Sequence, residues 1–153
     1  MKIVTMCRGG NVRSVAAKMI LHRYYGHEVI AIGADNSSPS TKQFLFNWAD
    51  KIVVMSSEFL SYLRYYDEDT KIDPSFVVNC YDFTNKSLLL EVGNDVWGDP
   101  FSESLQLKIF DAINAFHFDT LGGFKDVSAQ EIINRIRLYK AKIKSRNSTD
   151  TAL

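Results

Sequence analysis

Cys7, Arg13 and Ser14 are residues whose types and spacing can do chemistry together. They sit in one loop, Cys7-Arg8-Gly9-Gly10-Asn11-Val12-Arg13-Ser14, which follows the apolar run Ile3-Val4-Thr5-Met6 and leads into a helical pattern from about Arg13. A loop between a strand end and a helix start gathers backbone N–H groups around one concave space. The helix dipole adds partial positive charge there, so the place suits an anion. Gly9 and Gly10 allow positive φ and a close backbone approach to that anion. The Arg13 guanidinium closes the ring with a planar fork of donors matched to phosphate oxygens. A thiol at a helix N-terminus beside an arginine is drawn toward thiolate, the nucleophilic form, which makes Cys7 the candidate nucleophile. Ser14 can donate its hydroxyl to that sulfur and ease its later departure. Arg8, Asn11 and Val12 complete the ring through their amides. Arg8, first after the sulfur, is placed at the mouth, where it would favour a ligand with a second negative group. The plainer reading is a buried cysteine in an ordinary strand–helix turn. It leaves the agreement among strand, glycines, arginine, serine and helix unexplained.

Other elements must hold this loop. Strand one is Lys2 to Met6, and a helix from about Arg13 to Tyr25 carries Val12, Val15, Ala16, Met19 and Tyr24 at helical spacing, with Gly26 as its C-cap. Val29-Ile30-Ala31-Ile32 reads as strand two. Ser38-Pro39 starts a helix as N-cap and first helical residue; it runs to about Asp50 with Phe44 and Trp48 on one face. Ile52-Val53-Val54-Met55 is strand three. Ser56-Ser57-Glu58 opens a helix with Phe59, Leu60 and Leu63 that frays at Asp67-Glu68-Asp69. After the turn at Asp73-Pro74, Phe76-Val77-Val78 reads as strand four, ending at Asn79-Cys80. Leu88-Leu89-Leu90 fits a short helix or a strand equally. From Phe101 a helix is predicted with Leu105, Ile109, Ala112, Ile113 and Phe116 as its buried stripe. Ser128 and Glu131 have capping-box spacing before a last helix with Ile132, Ile136, Tyr139 and Ile143 on one side. The result is one domain, residues 1–146, with a polar, flexible tail over 147–153. Strands alternating with helices imply a parallel sheet with right-handed crossovers, covered by helices on both faces in a three-layer α/β/α arrangement. Ligands of such sheets bind outside the carboxyl ends of the strands, where the Cys7 loop, the Met55-Ser56 turn and the Cys80-to-Pro100 loop converge.

Composition narrows the chemistry. The 153 residues are 46% hydrophobic and 24% charged with a formal net charge of +0, an ordinary globular balance with no field that favours nucleic acid or an anionic membrane. Two cysteines, Cys7 and Cys80, are too few for a disulfide scaffold, and a needed thiol fits a reducing compartment. His22, His27 and His117 share no ligand spacing with them, so neither a metal nor another cofactor is expected. No apolar run has membrane-spanning length and the N-terminus lacks signal-peptide order, so a cytoplasmic protein is expected.

The run of Cys, five residues, Arg and Ser directly after the first strand resembles the low-molecular-weight protein tyrosine phosphatases and their arsenate reductase relatives. The resemblance spans Lys2 to about Phe116 and is tight at two motifs. It implies the sheet order 2-1-3-4. It also implies a general acid in an Asp-Pro-aromatic sequence after strand four, which Asp99-Pro100-Phe101 matches, with Phe101 as a pocket wall. Asp73, Asp82 and Asp95 compete for that role, Asp73 from the wrong end of the sheet. The implied activity is a phosphatase acting on phosphate monoesters through a phosphocysteine, with a phosphorylated protein or small phosphorylated molecule as its partner. Where the family has Asn three places after the nucleophile, this chain has Gly10, so the loop must be braced differently. The segment after strand two is shorter than the family's, which leaves a preference for phosphotyrosine open. Two rival activities use the same anion loop. A thiol-dependent arsenate reductase would enlist Cys80, although the usual relay takes two such cysteines. A phosphocarrier or non-hydrolysing phosphate-binding domain would make less use of the Arg13 clamp.

Overall fold

The computed structural model describes residues 1–9, 12–69, 83–93, 98–122 and 127–151, and of 64–69 and 147–151 the backbone alone. Gly10 and Asn11 lie outside the described residues, as do Asp73-Pro74, Phe76-Val77-Val78, Cys80, Asp82 and Asp95.

The elements follow in the order β1 (Lys2–Cys7), α1 (Arg13–Tyr25), β2 (Glu28–Gly33), α2 (Pro39–Trp48), β3 (Lys51–Val54), α3 (Glu58–Asp69), α4 (Phe83–Lys86), β4 (Ser87–Leu89), α5 (Glu103–Phe116), α6 (Phe118–Leu121) and α7 (Ala129–Thr151). The strands form a parallel sheet in the order β2-β1-β3-β4, the order the resemblance implies. Alternation along β1 sends Ile3 and Cys7 to one face and Val4 and Met6 to the other. The first face is covered by α1, α5 and α7 through Ala17, Ile20, Leu21, Leu105, Ile109 and Ile132. The second is covered by α2, α3 and α4 through Phe46, Phe59, Leu63 and Phe83. Two apolar layers on one sheet make the three-layer architecture. Because β1 and β3 are buried on both faces, they read as unbroken apolar runs.

Local signals account for several boundaries. Gly26 ends α1 in the left-handed region at φ 72°, its N–H reaching the His22 carbonyl. Ser38 caps α2, its Oγ accepting from the Thr41 amide, with Pro39 as the first helical residue. Ser102 caps α5 in the same way through the Leu105 amide. Ser128 accepts from the Glu131 amide ahead of α7.

The structure settles one open reading and corrects three expectations. Among the described residues the fourth strand of the sheet is Ser87–Leu89, paired with Ile52–Val54, so the run at Leu88 is strand, while Phe76-Val77-Val78 lies outside the described residues. Thr84-Asn85-Lys86 belongs to the single-turn helix α4 and not to a plain turn. In α2 the buried positions are Lys42 and Phe46, whereas Phe44 is 70% exposed. Lys42 can face inward because its Nζ donates to the Ala34 carbonyl and to the Tyr62 hydroxyl, which satisfies the charge that burial would otherwise strand. Phe116 is 81% exposed, since the chain turns at His117 and Leu121 of α6 joins the core of that face instead.

Candidate active site

Cys7 is the last residue of β1, opposite Gly33 of β2. It lies on the α1 side of the sheet, two positions beyond Thr5. The Thr5 hydroxyl donates to the Ser14 carbonyl at 2.8 Å and so ties the first turn of α1 down onto β1. That tie brings the Ser14 hydroxyl to 3.1 Å from the Cys7 sulfur, with both side chains buried. As a thiol the sulfur donates; as a thiolate it accepts from the hydroxyl. The N-cap of α1, Val12, offers no side-chain acceptor, and the first turn carries no acidic residue. The amides and positive dipole end of this 13-residue helix are therefore not answered by a side chain of the cap.

The chain leaves β1 in a way that prepares an anion cradle. In a regular strand, successive carbonyls point to opposite neighbours. Here the Met6 carbonyl accepts from Met55 beyond β3, and the Cys7 carbonyl then accepts from Ala34 beyond β2 at 2.8 Å. The Arg8 carbonyl does not swing back: it accepts from the Asp35 amide at 2.9 Å, and the Gly9 carbonyl accepts from the Asn36 side-chain amide at 2.7 Å. Three consecutive carbonyls are thus held by one turn, residues 34–36. Across a planar trans peptide the next N–H points the opposite way, so the amides of Arg8 and Gly9 share one direction, away from that turn. Sequence reasoning missed Asn36. Its polar, turn-rich context was visible, but its partner lies 27 residues earlier and only the fold joins them.

Arg13, first residue of α1, reaches across to β3, where its Nη1 donates to the Met55 carbonyl at 3.2 Å. The contact fixes a partly buried guanidinium at the carboxyl edge of the sheet, on the side of the cradle opposite the 34–36 turn. Arg8 is exposed and already engaged. Its Nη2 donates to both Glu58 oxygens at 2.8 and 2.9 Å, and its Nη1 lies 3.7 Å from Asp35. At this exposure such pairs contribute about 0–1 kcal/mol, so an incoming anion can compete for the guanidinium.

Asp99 follows β4 in the connection to α5. Its Oδ1 accepts from the Phe101 amide at 2.8 Å, and its Oδ2 lies 3.4 Å from Lys140 Nζ of α7. Phe101 stacks on Tyr139 of α7 with centroids 4.2 Å apart, and Glu103 pairs with Arg137 at 2.8 Å. The Asp-Pro-Phe segment is therefore moored to the last helix. Among the described residues the polar contacts of the Asp99 carboxylate are with the Phe101 amide and Lys140, its backbone carbonyl accepts from the Ser102 amide, and none joins Asp99 to Cys7, Arg13 or Ser14. Of the residues singled out from sequence, Cys7 and Ser14 meet directly. Arg13 borders the same edge, Gly9 and Arg8 are braced by the 34–36 turn, and Val12 begins the helix. Among the described residues no cluster of three metal-ligating side chains occurs.

No family model and no curated protein sequence matches the chain. Solved structures do. Wzb of Vibrio vulnificus, in complex with benzylphosphonate, superposes with a TM-score of 0.51 at 16% identity, covering 77% of this chain and 97% of that one. The YwlE arginine phosphatase from Geobacillus stearothermophilus matches with a TM-score of 0.45 at 14% identity, covering 74% and 86%. What the first of these establishes is architecture: the chain has the fold of the low-molecular-weight protein tyrosine phosphatases.

Proposed function

We propose that the protein is a cysteine-dependent phosphatase that hydrolyses phosphate monoesters through a phosphocysteine. The observation that carries this reading is the Cys7–Ser14 pair at the uncapped start of α1, beside amides that the 34–36 turn aims together. In the first step Cys7 sulfur attacks phosphorus, an S–P bond forms and the ester P–O bond breaks. Asp99 gives its proton to the departing oxygen. In the second step Asp99 takes a proton from water, the water oxygen bonds to phosphorus, and the S–P bond breaks. The Ser14 hydroxyl donates to the sulfur as it regains negative charge. The loop amides and the Arg13 guanidinium stabilise the equatorial oxygens in both transition states. For Asp99 to act, its carboxyl must exchange the Lys140 contact for the mouth of the cradle. That contact is half exposed and weak enough to yield. The substrate is a phosphorylated protein or a small phosphorylated molecule, and the reaction as written uses no cofactor.

Turnover of p-nitrophenyl phosphate tests the proposal. Cys7→Ser is expected to remove it, by about a thousandfold or more. Asp99→Asn is expected to lower it about a hundredfold or more at neutral pH. Benzylphosphonate, the ligand in the Wzb structure, is expected to inhibit competitively. An inactive wild type, or a Cys7→Ser variant as active as wild type, overturns the reading.

A further inference from the structure

Beside Phe101, α1 and α7 border an open groove of about 740 Å³, a size that suits a small organic ligand. It is distinct from the Cys7 cradle: Lys18, its first residue on α1, lies roughly 7–8 Å along the helix from Arg13 at 1.5 Å per residue. Four cations line it, Lys18 and Arg23 from α1 and Arg135 and Lys142 from α7, and among the described residues no Asp or Glu does. None of the four makes an ion pair among the described residues. Their neighbours on α7 behave otherwise. Arg137 is paired with Glu103 and Lys140 with Asp99, whereas Arg135 and Lys142, which face the groove, have no ion pair among the described residues, Arg135 lying over the Tyr24 ring at 5.8 Å. Glu131, one turn before Arg135, is the acidic group whose field reaches the groove, where it acts on Tyr24 against Arg135 and Arg23. A chain of zero net charge thus lines one concavity with four cations and, among the described residues, no carboxylate.

The groove is not only electrostatic. The stacked pair Phe101 and Tyr139 lines it, and Tyr139 is 43% exposed. Planar rings stack on such faces, and arginine forks bind phosphate in two-point contacts. A ligand that satisfies both features carries a planar ring and a short run of phosphates. We infer that this groove is a second binding site, for a nucleoside di- or triphosphate, separate from the cysteine cradle and beyond the phosphatase reaction. A ligand seated there touches Phe101, whose segment carries Asp99, so occupancy bears on the acid-bearing loop.

Calorimetric titration of the full chain with ADP, in the Cys7→Ser background that cannot turn over, tests the site. Adenosine and inorganic pyrophosphate serve as comparison ligands. ADP is expected to bind more tightly than either. Arg135→Glu and Arg23→Glu, both at exposed positions, are each expected to weaken ADP by about tenfold, the scale of one lost charge-assisted contact. Arg13→Ala, at the cradle, is expected to leave ADP binding unchanged while abolishing the binding of tungstate, an oxyanion probe of the cradle. The proposal is overturned if ADP does not bind, or if pyrophosphate binds as tightly as ADP. It is equally overturned if Arg13→Ala removes ADP binding, which would place the ligand in the cradle. If the phosphatase reading alone fails, p-nitrophenyl phosphate is not hydrolysed while ADP binding and its sensitivity to Arg135→Glu persist.

Discussion

Ser14 stands 3.1 Å from the Cys7 sulfur on the first turn of α1, and the Thr5 hydroxyl fixes the backbone that carries it. In the proposed reaction a neutral donor at that distance matters most when the sulfur bears full negative charge, at the end of phosphocysteine hydrolysis. Ser14→Ala is therefore expected to slow the second step more than the first. The signature is a kcat lowered by about ten- to a hundredfold with kcat/KM little changed, and a burst of p-nitrophenol in rapid-mixing experiments. At this scale the contact between Cys7 and Ser14 was legible, because the two lie in one short stretch and meet through local geometry. What was illegible is long-range. Glu58 pairs with Arg8 across 50 positions, Asn36 holds the Gly9 carbonyl across 27, and Lys140 meets Asp99 from the last helix. No local rule connects such pairs.

At the scale of elements, the turn between α1 and β2 depends on Gly26, whose φ of 72° is strained for any residue with a Cβ. Gly26→Ala is expected to cost about 1 kcal/mol, read as a fall of about 2–4 °C in melting temperature for a chain of this size. Caps, glycines and the apolar runs of β1 and β3 were readable because each acts within a few residues. The strand beside β3 was not. The run at Leu88 left helix and strand open, and Ser87-Leu88-Leu89 has little of the branched and aromatic composition that strands favour. It pairs with β3 because a three-residue strand is chosen by its neighbours more than by propensity. The inward face of α2 was misread for a related reason. Hydrophobicity points to Phe44 and Trp48; Trp48, partly buried, does pack against the core, but Phe44 is exposed and the buried pair is Lys42 and Phe46. A lysine can occupy the inner face only with acceptors such as the Ala34 carbonyl and the Tyr62 hydroxyl, which the sequence does not reveal.

For the whole molecule, two histidines link protonation to folding. Burial depresses the pKa of His27, whose Nε2 donates to the Leu121 carbonyl at 2.9 Å, and burial likewise depresses that of His117. A depressed value means that the unfolded chain binds protons that the folded chain refuses. Stability from this source is full above the ordinary value of 6.5 and is lost as pH falls below it. Urea midpoints are expected to drop between pH 7.5 and pH 5.5, by less in His27→Gln than in wild type. The cradle has a consequence at this scale too. Its carbonyls are held from outside by the strap that follows β2, so the strap's own N–H groups, those of Ala34 and Asp35, report on whether the cradle is filled. An oxyanion such as tungstate stiffens the loop and should slow deuterium uptake at these two amides, although neither touches the anion. In Asn36→Ala the same two amides should exchange faster and respond less, because one rung between strap and loop is gone.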